Sequence, residues 1–190
     1  MAGIDTVGLT WRELDERYPD LEHRELHDGV LVVTPAPGWP HQRVVSRMLR
    51  ALGSWCDEHG GEAFTAPVDL VLGERRVYQP DVWLLTGPHL DRLADDGKLH
   101  APPDLVVEVS SPSTRALDLG AKRAGYAAFA VPEYWFVDLA ARAVVVHRAT
   151  GGGPYPAPDV VRSPDTLTSP LLPGFVLGLA DLLRDVPEER

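Results

Sequence analysis

The chain has 190 residues, enough for one domain with a substantial core. Its apolar content of 44% argues against wholesale disorder, and no run approaches the roughly 18 apolar residues of a membrane span. Acids outnumber Lys and Arg by 28 to 18, a net charge of −10; this excludes a protein that coats nucleic acid through a broad basic surface, but not one that gathers carboxylates around a metal.

Met1 to Asp5 carry no basic run ahead of an apolar stretch, and Cys56 has no cysteine to pair with. The expectation is a cytoplasmic protein with no secretory signal and no membrane partner. Cys56 reads as a helix-packing residue. Thr10 and Glu13 have capping-box spacing at the start of a short helix. Asp28-Gly29 between Glu25-Leu26 and Val30 to Val33 predicts an N-terminal β-hairpin. After a proline-rich turn from Pro35 to Pro40, His41 to His59 has helical spacing. Val44, Val45, Met48, Leu49, Leu52 and Trp55 form its apolar face, and Gly60-Gly61 ends it. Arg43, Arg47 and Arg50 lie along one side of that helix, a solvated or substrate-facing basic row.

Val68 to Leu72 and Arg76 to Tyr78 predict a second hairpin, and Asp81 to Leu85 a strand for which Pro80 is an acceptable start. His89 to Lys98 reads as a loop with a helical turn. Asp104 to Ser110 is the central strand, followed by a helix from Ser111 to about Phe129. Pro132 to Asp138 and Ala143 to His147 are further strands, Gly151 to Pro158 a surface loop, and Leu179 to Arg184 a last short helix. This alternation predicts an α/β fold, a mixed central β-sheet flanked by α-helices, in a single domain over 1–190.

The most informative residue is Glu108, alone among aliphatic neighbours in the central strand. A buried carboxylate costs several kcal/mol unless it is compensated. Two compensating partners are open: Lys122 on the following helix, or a metal ion shared with Asp81. With a period of two, Glu108 shares a face with Val106 and Ser110, and Asp81 with Trp83 and Leu85. If these strands are neighbours, both carboxylates reach one ion, with the Val109 carbonyl as a third protein ligand. Mg²⁺ or Mn²⁺ suits such oxygen donors. Asp118, Lys122 and Tyr126 are spaced by four and share a helix face, beside a stripe of Leu117, Ala121, Ala124 and Ala128 expected to pack on the sheet. The plainer reading of Asp118 and Lys122 is an exposed ion pair. Glu25 is a further candidate acid. His41 is a helix-start residue, a phosphate contact or a group orienting Glu25. No zinc spacing, phosphate-binding glycine loop or serine-hydrolase elbow is present.

Together, Gln79-Pro80-Asp81, Pro103 to Thr114 with Glu108 at its centre, Asp118, Lys122, Tyr126 and Val131 to Asp138 resemble the Uma2 family of the PD-(D/E)XK nuclease superfamily, in order and over most of the chain. The resemblance implies a restriction-endonuclease-like fold and Mg²⁺- or Mn²⁺-dependent cleavage of phosphodiester bonds, with DNA as substrate, in a homodimer. It places the metal-binding acids on Asp81 and Glu108, the catalytic lysine on Lys122 and a supplementary acid on Glu25. Ser110 stands where an aliphatic residue is usual, and Ala130 where glycine is usual. The rival reading is a non-catalytic dimeric regulatory protein that retains the nuclease fold.

Overall fold

Thr10 opens the first helix with the expected reciprocal cap. Its hydroxyl accepts from the Glu13 N–H, and the Glu13 carboxylate accepts from the Thr10 N–H. The computed structural model describes residues 7–187; Met1 to Asp5, read above for a signal, lie outside them. Helix α1 (Trp11–Arg17) is followed by the hairpin β1 (Arg24–His27) and β2 (Val30–Val33). Asp28 (φ 51°) and Gly29 (φ 86°) both adopt the left-handed conformation that a tight two-residue turn requires.

Helix α2 (Trp39–His59) begins two residues earlier than the spacing suggested, because Pro40 in its first turn is compatible with helical φ and needs no donor there. Gly60, at φ 79°, ends it. Its buried face holds Val44, Val45, Met48, Leu52, Trp55 and Cys56. Each fully buried aliphatic side chain of this kind contributes about 1.5–3 kcal/mol.

The strands that follow are β3 (Gly61–Thr65), β4 (Leu70–Gly73), β5 (Arg76–Tyr78) and β6 (Val82–Thr86). A 3₁₀ segment (Gly87–Arg92) leads to β7 (Leu105–Val109). Helix α3 runs through Arg115–Leu117, a π-helical turn over Asp118–Lys122, and Arg123–Ala128. Then come β8 (Glu133–Asp138), β9 (Ala143–Arg148), β10 (Asp159–Arg162), β11 (Thr166–Leu167), β12 (Leu177–Gly178) and α4 (Leu179–Leu182).

The central sheet has six strands in the order β10-β9-β8-β7-β6-β3, mixed because β7 and β8 are parallel and the other pairs antiparallel. The two hairpins form a separate four-stranded sheet, β2-β1-β5-β4. β3 had no counterpart in the sequence reading. Glycine at its start and the mixed Gly-Glu-Ala-Phe-Thr composition hide it, and its place is secured by pairing along β6. β10, β11 and β12 were likewise too short and polar to stand out.

One face of the central sheet, with Val82, Leu84, Leu105, Val107, Val109 and Trp135, packs against α2 and the C-terminal segment. The other, with Trp83, Leu85, Val106, Tyr134 and Phe136, packs against Tyr126 of α3 and Tyr78 of the smaller sheet. The alternation of β7 places Glu108 on this second side, between the sheet and α3.

The expected packing stripe of α3 is corrected. Ala121, Ala124 and Ala128 are exposed and Leu117 half-buried, whereas Asp118, Lys122, Gly125 and Tyr126 are buried. Two physical features turn the helix this way. A methyl group on Gly125 would lie 2.7 Å from the Tyr78 ring and hydroxyl, so glycine permits the close approach. The π turn rearranges the backbone, and tyrosine hydroxyls take its carbonyls: Tyr134 donates to Asp118 O at 3.1 Å and Tyr78 to Ala121 O at 3.5 Å.

Candidate active site

Five segments converge on one cavity of about 150 Å³, lined by Glu25, His41, Asp81, Glu108, Asp118 and Lys122 among others. Glu25 comes from β1, His41 from the first turn of α2, Asp81 from the residue before β6, Glu108 from β7, and Asp118 and Lys122 from the π turn. Val82 pairs with Val107 in the antiparallel β6–β7 ladder, and continuing that register sets Asp81 opposite Glu108. Asp81 Oδ2 accepts the Val109 N–H at 2.8 Å and lies 3.1 Å from His41 Nε2.

Lys122 is the hub. Its Nζ lies 2.6 Å from Glu108 Oε1, 2.9 Å from Glu25 Oε1 and 3.8 Å from Asp118 Oδ1. Tyr126 donates to the same Glu108 oxygen at 2.5 Å. Glu25 accepts the Gln79 N–H at 2.8 Å, and its other oxygen lies 3.0 Å from His27 Nε2. All four residues of the lysine cluster are under 7% exposed, so the plain reading of Asp118 and Lys122 as a surface pair does not hold.

Burial alone would depress the Lys122 ammonium, but Glu108, Glu25 and Asp118 outweigh it and hold the group well above the usual lysine range. Burial raises the Glu108 carboxyl, and Asp118, Asp81 and Glu25 push the same way against Lys122. Asp118 is raised to about 6, first by burial and then by Asp81 and Glu25. Neither Asp118 oxygen has a hydrogen-bond partner among the described residues; the Thr114 hydroxyl eases its charge without reaching bonding geometry. Glu25 moves in the opposite direction. Burial raises it, but Lys122, His27 and the Gln79 N–H bring it down to about 2. His41 is raised despite burial, through Asp81 and the Val109 backbone. Four carboxylates thus share one lysine and two imidazoles, and carboxylates outnumber the cationic groups.

A family model described as "Putative restriction endonuclease" matches residues 7–180. The chain belongs to the Uma2 family. A solved structure described as a putative nuclease belonging to DUF820, from Anabaena variabilis ATCC 29413, shares the fold. It is 19% identical, with a TM-score of 0.76 over 92% of this chain and 97% of that one; at such identity the likeness bears on the fold alone. No curated protein matches the chain in sequence.

The metal that the Uma2 fold implies fits the donor chemistry. The cavity offers hard oxygen ligands, a surplus of negative charge and two buried Asp118 oxygens with no hydrogen bond. Among the described residues no three His, Cys, Asp or Glu side chains already converge as a cage. A cation held by two carboxylates would take its remaining ligands from water and substrate oxygens. Asp81 and Glu108 would hold it.

The structure brings together Glu25, Asp81, Glu108, Asp118, Lys122 and Tyr126, and corrects one expected contact. His41 is a helix-start residue, in the first turn of α2, and its ring contacts Asp81 rather than Glu25, because α2 starts beside the residue that precedes β6. On the solvated face of α2, Arg50 is exposed, and Arg43 and Arg47 are half-buried and donate to the backbone carbonyls of Asp185, Leu182 and Arg184 near the end of the described chain. At Val109, the N–H is committed to Asp81. Sequence reasoning missed His27 as the histidine of Glu25. The signal was available, since residues two apart on β1 share a face. Ser110, unusual for the family, is buried and satisfied, its hydroxyl accepting the Leu139 N–H at 2.9 Å.

Proposed function

We propose that this Uma2 protein is a Mg²⁺- or Mn²⁺-dependent nuclease that hydrolyses phosphodiester bonds, with DNA as substrate, and that it works as a cytoplasmic homodimer. The observation that carries the reading is the buried lysine bonded to carboxylates from two different sheets, beside Asp81 and within an acidic cavity. Structural ion pairs of this kind are seldom favoured for stability alone, since apolar replacements often serve as well. Asp81 and Glu108 hold the metal. When bound, the ion polarises the scissile phosphate and lowers the pKa of a water molecule.

The chain's own groups have separate tasks. Lys122 remains an ammonium, so it donates hydrogen bonds to the attacking water or a non-bridging oxygen and offsets negative charge, rather than acting as a base. Tyr126 anchors Glu108, and His41 with the Val109 N–H anchors Asp81. Glu25, kept ionised, holds Lys122 from the far side.

The test pairs calorimetry with cleavage. Mn²⁺ should bind to the wild type and bind at least tenfold more weakly to Asp81→Ala, and Glu108→Gln should bring cleavage of DNA to background while the protein stays folded. Unchanged cleavage in Glu108→Gln removes this site from the chemistry. Absence of metal binding at millimolar Mn²⁺ favours the non-catalytic regulatory protein.

A further inference from the structure

The first turn of α2 and the residues leading into it form part of the cavity wall, where Pro37, His41 and Gln42 line it. Trp39 lies between these residues in sequence, outside the cavity lining itself, and is 58% exposed. The other four tryptophans are buried or half-buried. An isolated exposed apolar residue needs no explanation in general, but this one is organised. The Arg43 guanidinium lies 4.7 Å from the centre of its ring, and is itself held by a 2.6 Å bond to the Asp185 carbonyl. The indole is therefore backed by a fixed cation while much of its surface stays open.

The charges around the cavity bear on which nucleic acid could enter. A duplex binder draws its affinity from many Lys and Arg contacts to phosphates. Among the described residues lining the cavity there is no arginine, and the one lysine is committed to three carboxylates. Arg43 and Arg47 each give one guanidinium nitrogen to backbone carbonyls of the C-terminal segment, and neither lines the cavity. Stacking of bases on aromatic rings is the alternative grip, and it is open only to bases that are not paired within a helix.

We propose that Trp39, backed by Arg43, is a stacking platform for a nucleobase of a single-stranded nucleic acid, whose neighbouring phosphate enters the acidic cavity. This rests on the nuclease reading and narrows it to an unpaired strand. The ring supplies a sequence-tolerant contact next to the cavity-lining turn of α2, and the carboxylates and Lys122 face the phosphodiester. Trp39 is a positioning residue and takes no part in the chemistry.

Fluorescence anisotropy with labelled single-stranded DNA, single-stranded RNA and duplex DNA tests this, with Ca²⁺ present to allow binding without cleavage. The single strands should bind at least tenfold tighter than the duplex. Trp39→Ala should weaken single-strand binding by about 5- to 100-fold, while Trp39→Phe retains most of it. The DNA and RNA arms show which sugar is preferred. Equal binding by wild type and Trp39→Ala, or tighter binding of the duplex, overturns the proposal. If duplex DNA is then cut by both proteins alike, the nuclease reading stands and the stacking platform alone fails. If no oligonucleotide is bound or cut, both fail. Light scattering adds a control: a dimer that dissociates on Trp39→Ala makes this residue a contact between copies and also overturns the proposal.

Discussion

Replacing Lys122 by methionine isolates the electrostatic claim on which the site depends. The variant keeps a flexible side chain of similar length but removes the cation that lies 2.6, 2.9 and 3.8 Å from Glu108, Glu25 and Asp118. Deleting one partner of a buried ion pair costs about 3–5 kcal/mol, because the remaining charge is left uncompensated. Here three carboxylates are left, so the cost should lie toward the upper end if they stay ionised. They can also take up protons, and that sets the pH dependence. Without Lys122 their folded pKa values rise above those of the unfolded chain, so the folded state binds more protons and stability falls as pH rises. Urea unfolding followed by circular dichroism should therefore show Lys122→Met less stable than wild type by several kcal/mol at pH 8, and by clearly less at pH 5.5. A loss below about 1 kcal/mol at pH 8, well short of the value for a broken buried pair, refutes the reasoning. So does a loss that is no smaller at pH 5.5.

Three further perturbations probe the framework around this cluster. Gly125→Ala drives a methyl group to 2.7 Å from the Tyr78 ring, so it should destabilise by about 1–3 kcal/mol in thermal melts and reduce activity by displacing α3. Ala130, after α3, has φ 60°, and Ala130→Gly should raise stability by about 1 kcal/mol, measured as a higher urea midpoint with unchanged slope. His147 is buried with neither ring nitrogen hydrogen-bonded, and burial, followed by Arg123, lowers it to about 4. Its folded pKa is below the unfolded value near 6.5, so the unfolded state binds more protons between them; stability is complete above about pH 6.5 and declines toward pH 4. His147→Gln should flatten the pH dependence of the urea midpoint in that window, by an amount worth about 3 kcal/mol.

Local patterns carried much of the outcome. The Thr10 cap, the Asp28-Gly29 turn, the α2 apolar face and the alternation along β7 are written in adjacent residues, because capping, turn geometry and strand period act over a few positions. Glu108 was conspicuous for the same reason: a carboxylate inside an aliphatic strand demands a partner wherever the strand is buried.

What the partner is, and how the site is oriented, depended on distant segments meeting. Asp81 and Glu108 face each other only because β6 and β7 are antiparallel neighbours in a particular register. Lys122 points inward because the π turn and the approach of Gly125 to Tyr78 rotate α3, against the apolar stripe that its composition suggests. His41 meets Asp81 rather than Glu25 because of where α2 begins beside the sheet. Helix and strand periods specify which residues share a face, whereas the rotation of that face and its neighbours are settled by packing between segments far apart in the chain, where a few close contacts outweigh local preference.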